Sequence, residues 1–224
     1  MARVITLVLE ASTYAGSVAL LGDGMVAAER AVAMRGRDHE ALMPAVGDVL
    51  TDGGCTPADV ERVVCGGGPG SFTSLRIAGG IAKGLALSLG LPLVPVSSLA
   101  LIVASVEGRR PGRYLAAQDA LRGEHYAQAY IIAPDGAIDE AGPVVLVPTR
   151  ELAVVADTAD AMLVGPGIAG AGATTPRAGA AAYLTNMINV ASPADLASWE
   201  PAYGRLAEAQ VKWEAEHGRP LAAS

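Results

Sequence analysis

The sequence predicts an α/β fold in which one pattern is used twice, and three observations predict it. Short β-branched and apolar runs come in groups around Asp-Gly turns. Each group is followed by a segment of helical period and then by another strand. A glycine-rich turn joins strand to helix in the first half. The first half reads as strands Val4–Leu9, Ser17–Leu21 and Met25–Ala33, the last two joined by the hairpin turn Gly22-Asp23-Gly24. A helix near Asp38–Leu50 follows. Pro44 requires that helix to kink or to start later. Arg62–Cys65 is the next strand, Gly66–Ser71 forms an irregular turn, Thr73–Leu89 a helix, and Leu93–Val96 a further strand.

The second half repeats the order. Strands are expected at Arg113–Gln118, His125–Ala133 and Val144–Val147, with the turn Pro134-Asp135-Gly136 between the last two. A helix over Arg150–Ala156, capped by Thr149, leads to strand Ala161–Val164. Beyond Gly167 a short helix is expected to begin at Ser192-Pro193, and a final one to span Ala207–His217, stopped by Gly218 and Pro220. The stretch SVEGRRPG breaks the apolar periodicity, so residues 1–104 and 105–224 are read as two related α/β lobes.

Composition bounds the function. A chain of 224 residues with 51% hydrophobic content has ample material for a core. The run Val4–Leu9 is too short for a signal or a membrane span, so a cytoplasmic protein without a membrane role is expected. Cys55 and Cys65, neither in a C-x-x-C pair, read as reduced and structural. Net charge is −7, with seven basic and nine acidic residues up to 104 and nine and fourteen after it. Neither half is a basic surface of the kind that phosphate neutralisation demands. Any service to RNA is therefore expected through partners.

The glycine turn GGGPGS fits neither G-x-x-x-x-G-K-[ST] nor G-x-G-x-x-G. Ser71 and Thr73 fall where a third glycine is required, and Lys83 lies about three turns down the helix. It serves either an anion or a closely approaching backbone. His39, His125 and His217 have no metal-ligand spacing, and Ser12, Ser71 and Ser97 sit in no G-x-S-x-G elbow. On the helix after the turn, Ala78, Ala82 and Ala86 recur beside Gly79 and Gly80, leaving a face nearly free of side chains. Such a face packs against the chain's own sheet or against a partner helix. In the preceding helix Leu42, Met43, Val46, Val49 and Leu50 make one apolar stripe.

Five segments in order, LVLEASTYAGSVAL, DHEALMPAVGDVL, GPGSFTSLR with AKGLALSLGLPLVPVSSLA, QDALRGEHYAQAY and EPAYGRLAEAQVKWE, resemble the TsaB (YeaZ) family. That family is the non-catalytic dimerization subunit of the bacterial tRNA threonylcarbamoyladenosine machinery. The resemblance implies the two-lobed actin, sugar-kinase and Hsp70 (ASKHA, RNase H-like) fold. It implies a scaffold that activates a TsaD-type catalytic paralogue, with a TsaE-type ATPase as further partner, tRNA engaged only by the assembly, and ATP and Mg used by the complex. It implies no intrinsic cofactor, no metal and no catalytic residue here. The two helices are implied to form the partner surface, through Leu42, Met43, Val46, Arg76, Ala78, Ala82 and Lys83.

Phosphotransferases of this superfamily place an acidic residue on the first hairpin and a Gly-Thr phosphate loop on the second. Glu10 with Ser12 and Thr13 holds the first place here, while the second reads Asp119-Ala120-Leu121-Arg122-Gly123. Glu10, Ser12, Gly68, Gly70, Ser71 and Thr73 are thus the candidates for loop shaping and anion contact. The chain departs from TsaB members at Glu10-Ala11, commonly Asp-Thr, and at Ser74, commonly glycine. The alternatives are a nucleotide-dependent phosphotransferase or carbamoyltransferase built on Glu10, a peptidase on the older glycoprotease label, and a homodimer outside tRNA modification.

Overall fold

The computed structural model describes residues 4–35, 40–168 and 173–204. Strands β1 (Ile5–Glu10), β2 (Ala15–Gly22), β3 (Met25–Ala33), β4 (Arg62–Gly66) and β5 (Leu93–Val96) form one sheet in the order β3-β2-β1-β4-β5. β1 to β3 run antiparallel, and β4 and β5 add in parallel. A second sheet contains β6 (Gly112–Asp119), β7 (Glu124–Ile132), β8 (Ile138–Glu140), β9 (Val145–Pro148) and β10 (Ala161–Val164), in the order β10-β6-β7-β8 with β9 also on β7. It repeats the plan: an antiparallel hairpin, with a parallel strand on the far side of its first member. It stops one parallel strand short. The α/β plan expected from the sequence, one pattern used in two sheets, is what the chain adopts.

Every residue of β1 is buried, because sheet faces are covered on both sides and the strand is interior. One face of the first sheet packs under α1 (Leu42–Asp52) and α2 (Phe72–Leu89). The other shares a core with α3 (Ser98–Ala104), a 3₁₀ segment at Ala178–Tyr183, α5 (Thr185–Val190) and the second sheet. α4 (Leu152–Thr158) covers the second sheet's outer face.

The start of α1 shows why Pro44 is tolerated. The helix begins at Leu42, so Pro44 lies in the first turn, where its missing N–H costs nothing. The Glu40 carboxylate accepts from the amides of Leu42 and Met43. Asp38 and His39 lie outside the described residues, as does the helix expected at Ala207–His217.

One helix was not foreseen, and two expectations are corrected. SLALIVA after β5 forms α3, which sequence periodicity did not reveal because all seven residues are buried and no face is polar. Thr149 does not cap α4; its hydroxyl pairs with His125 Nδ1 at 3.2 Å, and a 3₁₀ turn at Thr149–Glu151 precedes the helix. No helix begins at Ser192-Pro193. There the chain makes a turn held by the Asp195 side chain, which accepts from Ala197 N at 3.1 Å and Ser198 Oγ at 2.7 Å.

From that turn, residues 199–204 form an irregular strap back across the first lobe. Ala194 N donates to Leu93 O at 2.8 Å and Ala202 N to Gly67 O at 2.7 Å. Pro201 fills the space over Gly79, where a Cβ would lie 2.9 Å from its Cγ.

Candidate functional site

The ends of β1, β4 and β6 meet at the glycine loop. Three of its amides donate within the chain itself. Gly67 N donates to Val96 O at 2.7 Å, Gly68 N to Ser98 Oγ at 3.1 Å and Ser71 N to Ser12 O at 2.7 Å, while Pro69 has none to offer. The loop's glycines answer to close approach. A Cβ on Gly66 would strike the Glu10 carboxylate, one on Gly68 (φ +89°) the carbonyl of Ala202, and one on Gly70 the carbonyl of Ser12. Close approach of backbone and side chain thus accounts for the glycines at 66, 68 and 70.

Glu10 lies beneath this loop, fully buried. Its carboxylate accepts from Ser12 N at 2.5 Å and from Ser98 Oγ at 3.0 Å. Burial pushes its pKa up, against the pull of these hydrogen bonds. The thiol of Cys65, equally buried, is pushed up by desolvation and then by the Glu10 charge. Ser12 is buried as well. Its carbonyl accepts from Gln118 Nε2 at 2.7 Å, and its hydroxyl donates to Gln118 Oε1 at 3.3 Å. Gln118 stands at the end of β6, so this pair ties the first lobe to the second. Glu10 is therefore held in the cleft floor, away from the cavity lining, whereas Ser12 both ties that floor together and lines the cavity. Sequence reasoning missed Gln118 and Ser98, and only long-range pairing identifies them.

Above this floor a cavity of about 1170 Å³ opens between the lobes. Ser71 and Thr73 line it, as do Tyr14, Phe72 and Tyr203. Arg35 and Arg122 line it from opposite lobes. The Ser71 hydroxyl pairs with that of Ser74 at 3.1 Å, which gives Ser74 its role at a position where glycine is common in the family.

The expected docking residues divide. Leu42, Val46, Ala78 and Ala82 are buried in the lobe's own core and present nothing to a partner in this fold, which corrects their expected role. Met43 is 45% exposed, and Arg76 is exposed with its guanidinium 5.4 Å above the Phe72 ring. Lys83 is half-buried and donates to the Trp199 carbonyl at 2.9 Å. The bare face of α2 is used twice: its alanines pack inward and Gly79 receives the strap. Gly80 and Gly84 face open space beside the exposed Leu87.

Among the described residues no cluster of His, Cys, Asp or Glu has the geometry to hold a metal ion, and no helix is long and apolar enough to cross a membrane.

Residues 33–213 match the family model described as TsaD: tRNA N6-adenosine threonylcarbamoyltransferase. The chain is 42% identical over 127 residues to the tRNA threonylcarbamoyladenosine biosynthesis protein TsaB of Escherichia coli K12, a match covering 55% of this chain and 54% of that one. It thus spans about half the length of that relative. With the Bacillus subtilis 168 protein of the same name it shares 31% identity over 226 residues, covering 92% of this chain and 96% of the other. The solved structure of YeaZ from Pseudomonas aeruginosa superposes with a TM-score of 0.74 at 28% identity, covering 89% of this chain and 99% of that one. The chain belongs to the family that the threonylcarbamoyltransferase model describes, and within it to the TsaB (YeaZ) proteins.

Proposed function

We propose that this chain is a non-catalytic, activating subunit in the biosynthesis of threonylcarbamoyladenosine in tRNA. It would assemble in the cytoplasm with a TsaD-type catalytic paralogue and a TsaE-type ATPase. The observation that carries the reading is Glu10: the carboxylate at the tip of β1 is folded under the glycine loop and fully committed to Ser12 and Ser98. A buried, hydrogen-bonded carboxylate of this kind supports a scaffold better than a metal-dependent phosphotransferase. It equally disfavours the alternatives that require Glu10 to act on a nucleotide. ATP and Mg belong to the assembly, and tRNA meets this chain only through it. Residues 1–104 carry the docking surface, and residues 105–224 complete the fold.

The docking surface is the exposed side of α2, where Arg76, Gly80 and Gly84 succeed one another at four-residue spacing, together with the exposed Met43 of α1. The decisive experiment is nucleoside mass spectrometry of unmodified tRNA incubated with the paralogue, the ATPase, ATP, bicarbonate, threonine and the adenylate-forming enzyme, with and without this chain. Threonylcarbamoyladenosine formed only in its presence is the expected result. Formation without it rejects the reading.

Gly84→Leu tests the surface. Among the described residues nothing beyond the helix's own backbone lies within 4 Å of a Cβ there, so the variant should gain roughly 1 kcal/mol of stability from helix propensity. Product should nevertheless fall, because a partner helix loses its close approach. A stabilised variant with undiminished product would remove Gly84 from the interface.

A further inference from the structure

We propose that the cavity between the two sheets binds a small organic anion with an aromatic body, and does so without a divalent cation. The cavity is large enough for a ligand of nucleotide size or smaller. Its walls carry both parts of the recognition. Tyr14, Phe72 and Tyr203 supply ring surface, with the Phe72 and Tyr203 centroids 4.6 Å apart and their planes tilted by 50°. Arg35 and Arg122 face the space from opposite lobes, so an anion between them would meet a guanidinium on either side. This pairing stands out in a chain of net charge −7.

The two arginines are held differently. The Arg35 guanidinium lies 3.3 Å over the Tyr14 ring and donates to the Tyr14 hydroxyl, which orients it while leaving further donors open. Among the described residues the Arg122 guanidinium makes no hydrogen bond or ion pair. Its backbone nonetheless stands in the left-handed region, at φ 57°, next to Leu121 at φ 62°. Neither residue type favours that conformation. The turn thereby places an apolar side chain and a free cation at the cavity wall together. Such outliers concentrate where structure serves binding.

A cation-dependent ligand is disfavoured by the carboxylates. Among the described residues Asp119 is the one carboxylate lining the cavity, and its Oδ1 accepts from Leu121 N at 2.8 Å. Glu10 is turned away beneath the loop. The charge on the ligand is therefore met by guanidinium. This inference does not rest on the subunit reading, since it concerns the free chain.

Calorimetric titration of the full chain in EDTA with 1-naphthyl phosphate, and separately with 1-naphthol and inorganic phosphate, tests it. The expected result is naphthyl phosphate binding with Kd below about 1 mM, and each half-ligand binding at least roughly tenfold more weakly. Arg35→Ala/Arg122→Ala should weaken naphthyl phosphate by roughly tenfold or more. Both sites are surface positions, and an unchanged melting temperature without probe would confirm that the variant folds. Phe72→Leu should lower affinity for naphthyl phosphate while leaving that for phosphate unchanged. Failure of naphthyl phosphate to bind, binding that needs Mg²⁺, or equal affinity in the double arginine variant would each overturn the proposal.

Discussion

Gly70→Ala will lower the stability of this chain by about 3 kcal/mol, at the upper end of ordinary overpacking in a core. A Cβ at this position would meet the backbone carbonyl of Ser12, with Gln118 Nε2 at 2.5 Å and Ser12 Cβ at 2.7 Å. A carbonyl in the turn between β1 and β2 cannot move alone. Its oxygen already accepts from Ser71 N and from Gln118. The methyl group therefore pries at the point where the lobes are tied. For a chain of this size that loss corresponds to a fall in Tm of roughly 6–12 °C, measurable by calorimetry. Gln118→Ala removes one of the two obstacles, so Gly70→Ala/Gln118→Ala should lose less than the sum of the single variants. Additive losses would show that Gly70 and Gln118 act independently and that the contact at the cleft floor is not what constrains the loop.

Glu10 predicts an inverted acid response. Its folded pKa is raised above the 4.5 of a free glutamate because burial disfavours the charge. Above the folded value the buried charge counts fully against the native state. As pH falls from that value toward 4.5 the folded chain takes up a proton that the unfolded chain does not yet bind, so Glu10 adds stability on acidification. The groups facing it are the Ser12 amide, the Ser98 hydroxyl and the Cys65 thiol, and no cation among them opposes the shift. Urea denaturation across this window should show wild type gaining stability relative to Glu10→Gln as pH is lowered. Parallel profiles for the two proteins would mean that Glu10 carries its charge at no cost, and the burial account would fail.

Much of the fold was legible because its parallel strands read as continuous apolar runs, with β1 and β4 buried along nearly their whole length. β5 and β10 fall at the residues expected, Leu93–Val96 and Ala161–Val164. The glycine turn was equally legible from Gly67 to Ser71, while Gly66, expected in the turn, closes β4 by pairing with Val96. What escaped was governed by contacts distant in sequence. α3 has no polar face, so it offers no period to read. The strap is irregular, and its course depends on Gly67, Gly79 and Lys83 more than a hundred residues away. The docking stripe was misjudged at Leu42, Val46, Ala78 and Ala82 because an amphipathic helix looks the same whether its apolar face meets its own sheet or another protein. Gln118 carried no signal at all, for a single glutamine at the end of a strand announces nothing until its partner is placed 106 positions earlier.

α3 gives the degenerate half a reason to persist. Seven consecutive residues without a polar face need cover on every side, and the second sheet provides part of it through Tyr114, Ala116 and Tyr130. Whatever the second hairpin contacts at the cleft, its inward face is needed to cover α3. Natural selection on such a segment acts through solubility and folding yield, so its sequence can drift at the cleft while its inward positions stay apolar.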